Sequence, residues 1–117
     1  MLGCDLIEVE RIKKLILKNN INDVFSIEEQ QYCNKFINKE EHYAGFFCAK
    51  EAFLKALGIG IKKGINLNEI NINHNENGKP YILLSNENIN KFNLNNKKIE
   101  LSISHIQKIA MAICLIL

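Results

Sequence analysis

Residues 41–57, EHYAGFFCAKEAFLKAL, most limit how this chain can fold, because they read as a helix that is apolar almost all the way round. At roughly 100° per residue, Tyr43, Phe46, Phe47, Leu54 and Leu57 fall on one face. Gly45, Ala49, Ala52 and Ala56 fall on the opposite one, small enough for another backbone to pack closely. A surface helix keeps a broad polar face. After His42 this one has only Lys50, Glu51 and Lys55 as charges. The helix is therefore expected to be buried. Lys50 lies within the large apolar stripe, from which its stem can snorkel outward. Gly58 follows as the stop, and GIGIKKG, residues 58–64, reads as a loop.

The second constraint is the tail IAMAICLIL, residues 109–117, apolar at nearly every position. A strand of that kind is normally covered on both faces, by its own fold or by a neighbouring subunit. It is too short to cross a bilayer as a helix. The remaining elements follow from periodicity and punctuation. Residues 1–7 read as a buried strand carrying one acid, and 8–18 as a helix with Val9, Ile12, Leu15 and Ile16 on one side. Ser26 and Glu29 form a capping box that opens a helix at 27–37. Residues 67–73 and Tyr81 to Leu84 read as two strands joined through the turn signal Asn77-Gly78. A weak polar helix is expected over 85–92, and two strands at 98–104 and 108–116 finish the chain. The order predicts an α+β fold, with a mostly antiparallel sheet packed on a long buried helix.

The length suits one domain spanning residues 1–117. Its core is small, so self-association would help it. With 15 basic and 13 acidic side chains the charge is nearly balanced, which gives no broad footprint for nucleic acid. Arg11 is the single arginine. Cys4, Cys33, Cys48 and Cys114 show no short ligand spacing, so they read as reduced, mostly buried thiols and not as a zinc site. The opening MLGCD has no basic region ahead of an apolar core, so no signal peptide is expected. The expectation is a soluble, cytoplasmic chain with no membrane segment.

Buried charge must be paired or bound to metal. Glu51 and Lys55 lie four apart, as a routine helical ion pair would, or as part of a site for a polyphosphate and its metal. Asp5, set in an apolar strand, could cap a helix, pair with a lysine, or join Glu51 on a magnesium ion. Magnesium takes one or two carboxylates and fills its shell with water and substrate phosphates. His105 ends a strand and fits a capping, phosphate-binding or proton-transfer role. Ser102 and Ser104 lie on that strand's other face, and no G-x-S-x-G accompanies them.

These signals occur in one order. GCDLIEVERI at 3–12, FCAKEAFLKALGIGI at 47–61, NGKPY at 77–81 and LSISH at 101–105 resemble the holo-acyl-carrier-protein synthase family along essentially the whole chain. The resemblance implies a magnesium-dependent 4′-phosphopantetheinyl transferase, with Asp5 and Glu51 as metal ligands. It implies coenzyme A contacts from Lys55, Gly58, Gly78, Lys79, Pro80, Ser104 and His105. Arg11 corresponds to the family's contact for the acidic carrier protein. A homotrimer with active sites at subunit interfaces is implied as well. The reaction implied moves phosphopantetheine from coenzyme A to a carrier serine in support of fatty acid biosynthesis. Asp5, Glu51 and Lys55 would be its catalytic residues, and Glu51 or a metal-ordered water would accept the serine proton.

The sequence departs from the family at two places: Phe46, where many relatives have arginine, and Ile106, where a hydroxyl residue is common. A phosphate or carrier contact is then missing or supplied elsewhere. A catalytically impaired carrier-binding module is the alternative reading. A nucleic-acid-binding domain lacks clustered arginine and a stacking motif.

Overall fold

The computed structural model describes residues 1–18, 20–60 and 64–117. Strand β1 (Leu2–Glu8) leads into helix α1 (Val9–Leu17), a single turn α2 (Ile21–Val24), α3 (Ile27–Cys33) and the long α4 (Lys39–Leu57). A 3₁₀ turn (Leu67–Glu69) precedes β2 (Asn71–His74) and β3 (Pro80–Leu83), and α5 (Asn86–Lys91), β4 (Ile99–His105) and β5 (Ile109–Ile116) complete the chain. One antiparallel sheet has the order β1-β5-β4, and β2 and β3 form a separate antiparallel hairpin. The fold is α+β, as the sequence predicts. Of the predicted loop 58–64, Ile61–Lys63 lie outside the described residues.

Helix α4 contains neither proline nor a β-branched residue, and its alanines favour the helical state. Glu40 and Glu41 in the first turn and Lys55 in the last complement the helix dipole. Gly58 ends it with φ 75°, the left-handed cap that glycine adopts without steric cost. The small-residue face takes a backbone, as expected, and that backbone is the chain's own β1. A Cβ on Gly3 would lie 2.1 Å from the Ala52 carbonyl oxygen and 2.5 Å from the Ala56 nitrogen. The large face is buried in part: Tyr43, Phe46 and Leu54 are in the core, while Phe47 and Leu57 are half-buried against it.

Lys50 corrects the sequence reading. Its amine does not snorkel outward; it is fully buried and donates to Glu29 Oε1, Leu67 O and Ile70 O, each at 2.8 Å. Glu29 also accepts from the Ser26 amide through Oε1 and from the Ile72 amide through Oε2, both at 2.8 Å. The predicted capping box is present and has a second task, holding a buried cation. The same need explains why 67–73 is not all strand. A 3₁₀ turn at Leu67–Glu69 turns two carbonyls toward Lys50, and the strand begins only at Asn71.

Other boundaries shift for local reasons. Helix α3 stops at Cys33, short of 37, and the side chain of Asn34 accepts from the Tyr43 hydroxyl at 2.8 Å. The β2–β3 connection is organised by Asn75, whose side chain accepts from the amides of Asn77 and Lys79. On β5, Ala110, Ala112, Cys114 and Ile116 are buried under α4, while Ile109, Met111 and Ile113 are exposed. A single chain thus covers only one face of that apolar strand. All four cysteines are free, and three are buried.

Candidate active site

Asp5 faces inward on β1 with Gly3 and Ile7, in register with Ala112 of β5. Because Gly3 lets β1 lie against the backbone of α4, Asp5, two residues on, reaches the last turns of that helix. There Lys55 Nζ meets Asp5 Oδ1 at 3.2 Å. The lysine is more than half exposed, so the pair is worth at most about 1 kcal/mol. Lys55 therefore pairs across to the strand, and not with Glu51 one turn earlier on its own helix.

Glu51 is left without a donor. Its Oε1 is buried and has no hydrogen-bond partner. Burial, and then the neighbouring Asp5 carboxylate, raise its pKa above the ordinary glutamate range, with Lys55 opposing. An orphaned buried carboxylate oxygen costs about 1–3 kcal/mol. Two carboxylates converging on one spot, one with an unsatisfied oxygen, fit a hard cation that prefers oxygen ligands. Among the described residues no group of three or more metal-ligating side chains assembles. The pair therefore suits an ion that draws its other ligands from water and substrate. Beneath it, burial and then Asp5 push the Cys48 thiol up to about 12. Its Sγ–H donates to Ala110 O, so it is a packed, unreactive group.

The other residues taken from the resemblance do not all gather here. Gly78, Pro80 and His105 line one pocket of about 140 Å³ beside the first half of α4. Lys79 pairs with Glu100 at 2.8 Å, on a different flank. Ser104 is exposed on the face of β4 opposite His105. Gly58 stands at the α4 terminus, and Arg11 is exposed on α1. Gly45, packed beneath Ile103 and His105, precedes Glu51 by roughly 9 Å along the helix. Within one chain two groups thus form, one at Asp5, Glu51 and Lys55 and one at Gly78, Pro80 and His105, while Lys79, Ser104 and Arg11 belong to neither.

Sequence reasoning missed His42, His74 and Tyr32, which line the same pocket. Each is an aromatic at or near the end of an element, and only their convergence in space marks them. Phe46, an expected departure, is a buried member of that cluster.

The chain is similar to known proteins over nearly its whole length. A protein from Fusobacterium nucleatum named holo-[acyl-carrier-protein] synthase is 42% identical, covering 99% of this chain and 97% of its own. The crystal structure of Helicobacter pylori holo-[acyl-carrier-protein] synthase in complex with coenzyme A superposes with a TM-score of 0.87, at 32% identity and 99% coverage of both chains. A holo-(acyl-carrier-protein) synthase from Bacillus anthracis, in complex with CoA (3′,5′-ADP), gives a TM-score of 0.82 at 31% identity, over 98% of this chain and 93% of that one. With the family model matched over residues 1–114, this chain belongs to the 4′-phosphopantetheinyl transferase superfamily.

Proposed function

We infer that this chain is a holo-[acyl-carrier-protein] synthase. It transfers 4′-phosphopantetheine from coenzyme A to a serine of apo acyl carrier protein, yielding the holo protein and adenosine 3′,5′-bisphosphate. The observation that carries the reading is the meeting of Asp5 and Glu51 beside Lys55, with one carboxylate oxygen buried and unpartnered. It stands in a chain alike over nearly its full length to a synthase solved with coenzyme A.

The serine oxygen forms a bond to the pantetheine-bearing phosphorus. The bond from that phosphorus to the bridging oxygen breaks, and its electron pair leaves with the adenosine bisphosphate. Such a reaction depends on positioning and charge neutralisation. We assign Asp5 and Glu51 as ligands of magnesium, which when bound supplies positive charge at the pyrophosphate. Lys55, held to Asp5 only weakly, is available to a phosphate. Glu51 Oε1 is the assigned acceptor of the serine proton. Gly58, Gly78, Lys79, Pro80, Ser104 and His105 are assigned to coenzyme A, and Arg11, exposed on α1, to the acidic carrier.

The two groups of coenzyme residues lie apart on one chain, and the sheet's outer face exposes Leu2, Leu6, Met111 and Ile113. Both facts support a homotrimer whose neighbouring chains complete each site. The whole chain acts as one domain. No described helix is long and apolar enough to cross a membrane. A cytoplasmic role in fatty acid biosynthesis is assigned from the likeness to holo-[acyl-carrier-protein] synthases.

Intact-mass measurement of apo carrier incubated with the protein, coenzyme A and magnesium should show the addition of one phosphopantetheinyl group. A carrier that binds but keeps its mass would replace this reading with that of a catalytically impaired binding module.

A further inference from the structure

Two carboxylates and one ammonium meet where β1 lies on α4, and the three side chains differ in freedom. Asp5 is largely buried, with 16% of its side chain exposed, and its backbone is fixed in register with Ala112. Glu51 stands in the body of α4 with Oε1 buried, accepting no hydrogen bond from the described residues. Lys55, on the last turn of the helix, keeps 56% of its side chain in solvent. Its Nζ donates to Asp5 Oδ1 at 3.2 Å, a single long contact. The same charge reaches the second acid, opposing the rise in the Glu51 pKa that burial and Asp5 cause. The acids are held in place, and the lysine is the part that can swing away.

A divalent cation at this pair needs the carboxylate that Lys55 occupies. Magnesium takes oxygen ligands at roughly 2.0–2.1 Å in near-octahedral geometry, much closer than the lysine contact. An ammonium and a magnesium ion on one carboxylate also repel each other. The ion pair gives way first, because it is exposed and therefore weak. Lysine suits such a release. Its charge is compact, and its four-carbon stem lets the head move while the helix stays where it is.

Resting on the magnesium and coenzyme A reading above, we propose that Lys55 and magnesium exchange at Asp5: the arriving ion displaces the ammonium, which then turns to the pyrophosphate of the coenzyme. Lys55 has two stations, Asp5 and the coenzyme. At the first it competes with the metal, and at the second it works alongside it. Its positive charge therefore weakens magnesium binding when no coenzyme is bound, yet strengthens the binding of the coenzyme itself.

The test uses the intact protein. Calorimetric titration with magnesium chloride, without coenzyme, should show Lys55→Met binding the ion about three- to fivefold more tightly than wild type, the scale of an exposed ion pair. With magnesium present, the same variant should bind coenzyme A more weakly than wild type. The order parameter of the Lys55 ammonium nitrogen, measured by NMR relaxation and assigned by its loss from the Lys55→Met spectrum, reads the exchange directly. In wild type it should fall on adding magnesium and rise again when coenzyme A follows. In Asp5→Asn it should be low from the outset. A Lys55→Met variant that binds magnesium no more tightly than wild type, or an ammonium whose order magnesium leaves unchanged, would overturn the exchange; coenzyme A binding would still uphold the transferase reading. Failure of coenzyme A to bind wild-type protein with magnesium would overturn both.

Discussion

At the residue scale, the site is a compromise between stability and chemistry. Glu51 is held where burial and Asp5 both oppose its ionisation. Its pKa in the folded chain lies above that in the unfolded chain. Below both values the group is protonated in either state and costs nothing. As pH rises through the window between them the unfolded chain releases its proton first, and stability falls. Glu51→Gln removes that penalty. Without magnesium, its melting temperature should match wild type at about pH 4 and exceed it by a few degrees at about pH 8. Magnesium should raise the melting temperature of the wild type and not of the variant. Turnover should fall about a hundredfold or more. A variant no more stable than wild type at the higher pH would show that the orphaned oxygen carries no strain.

At the element scale, α4 is held from two sides by different means. One side receives the backbone of β1 at Gly3, where no Cβ fits. The other side is fixed by Lys50, which ties α4 to α3 through Glu29 and to the turn before β2 through two carbonyls. Removing one member of a buried pair leaves the other charge uncompensated, at about 3–5 kcal/mol. Lys50→Met should therefore lower the urea midpoint by that equivalent. The double change Lys50→Met, Glu29→Gln should recover part of it, since no bare charge remains. A single variant within about 1 kcal/mol of wild type would mean that Glu29 accepts a proton instead.

At the scale of the whole molecule, the three-stranded sheet has one face buried under α4 and one face apolar and open. Leu2 and Leu6 of β1 and Met111 and Ile113 of β5 share that outer face. A contiguous apolar surface of this kind marks an interaction site. If three chains close over it, Ile113→Glu should convert the assembly to monomers in sedimentation analysis while far-UV circular dichroism stays unchanged. In such an assembly each site would draw residues from two chains, so coenzyme A binding should weaken with it. A variant that keeps the native mass would remove this face from the interface.

Much of this was legible in the sequence because it depends on local order. The apolar run at 41–57, the Ser26–Glu29 box and the short apolar run that ends the chain determined helix, cap and strand from periodicity and short-range hydrogen bonding alone. The motif order pointed to Asp5, Glu51 and Lys55. What the sequence left open was set by contacts between distant segments. Lys50 could have reached solvent until Glu29 from α3 and two carbonyls from the turn before β2 surrounded its amine. Lys55 could have paired along its helix until the fit of Gly3 against Ala52 set Asp5 beside it. His42, His74 and His105 carry no shared spacing, and they became one pocket only when α4, β2 and β4 packed together. Such placements depend on the direction of whole elements, and side-chain period along the chain contains no record of that.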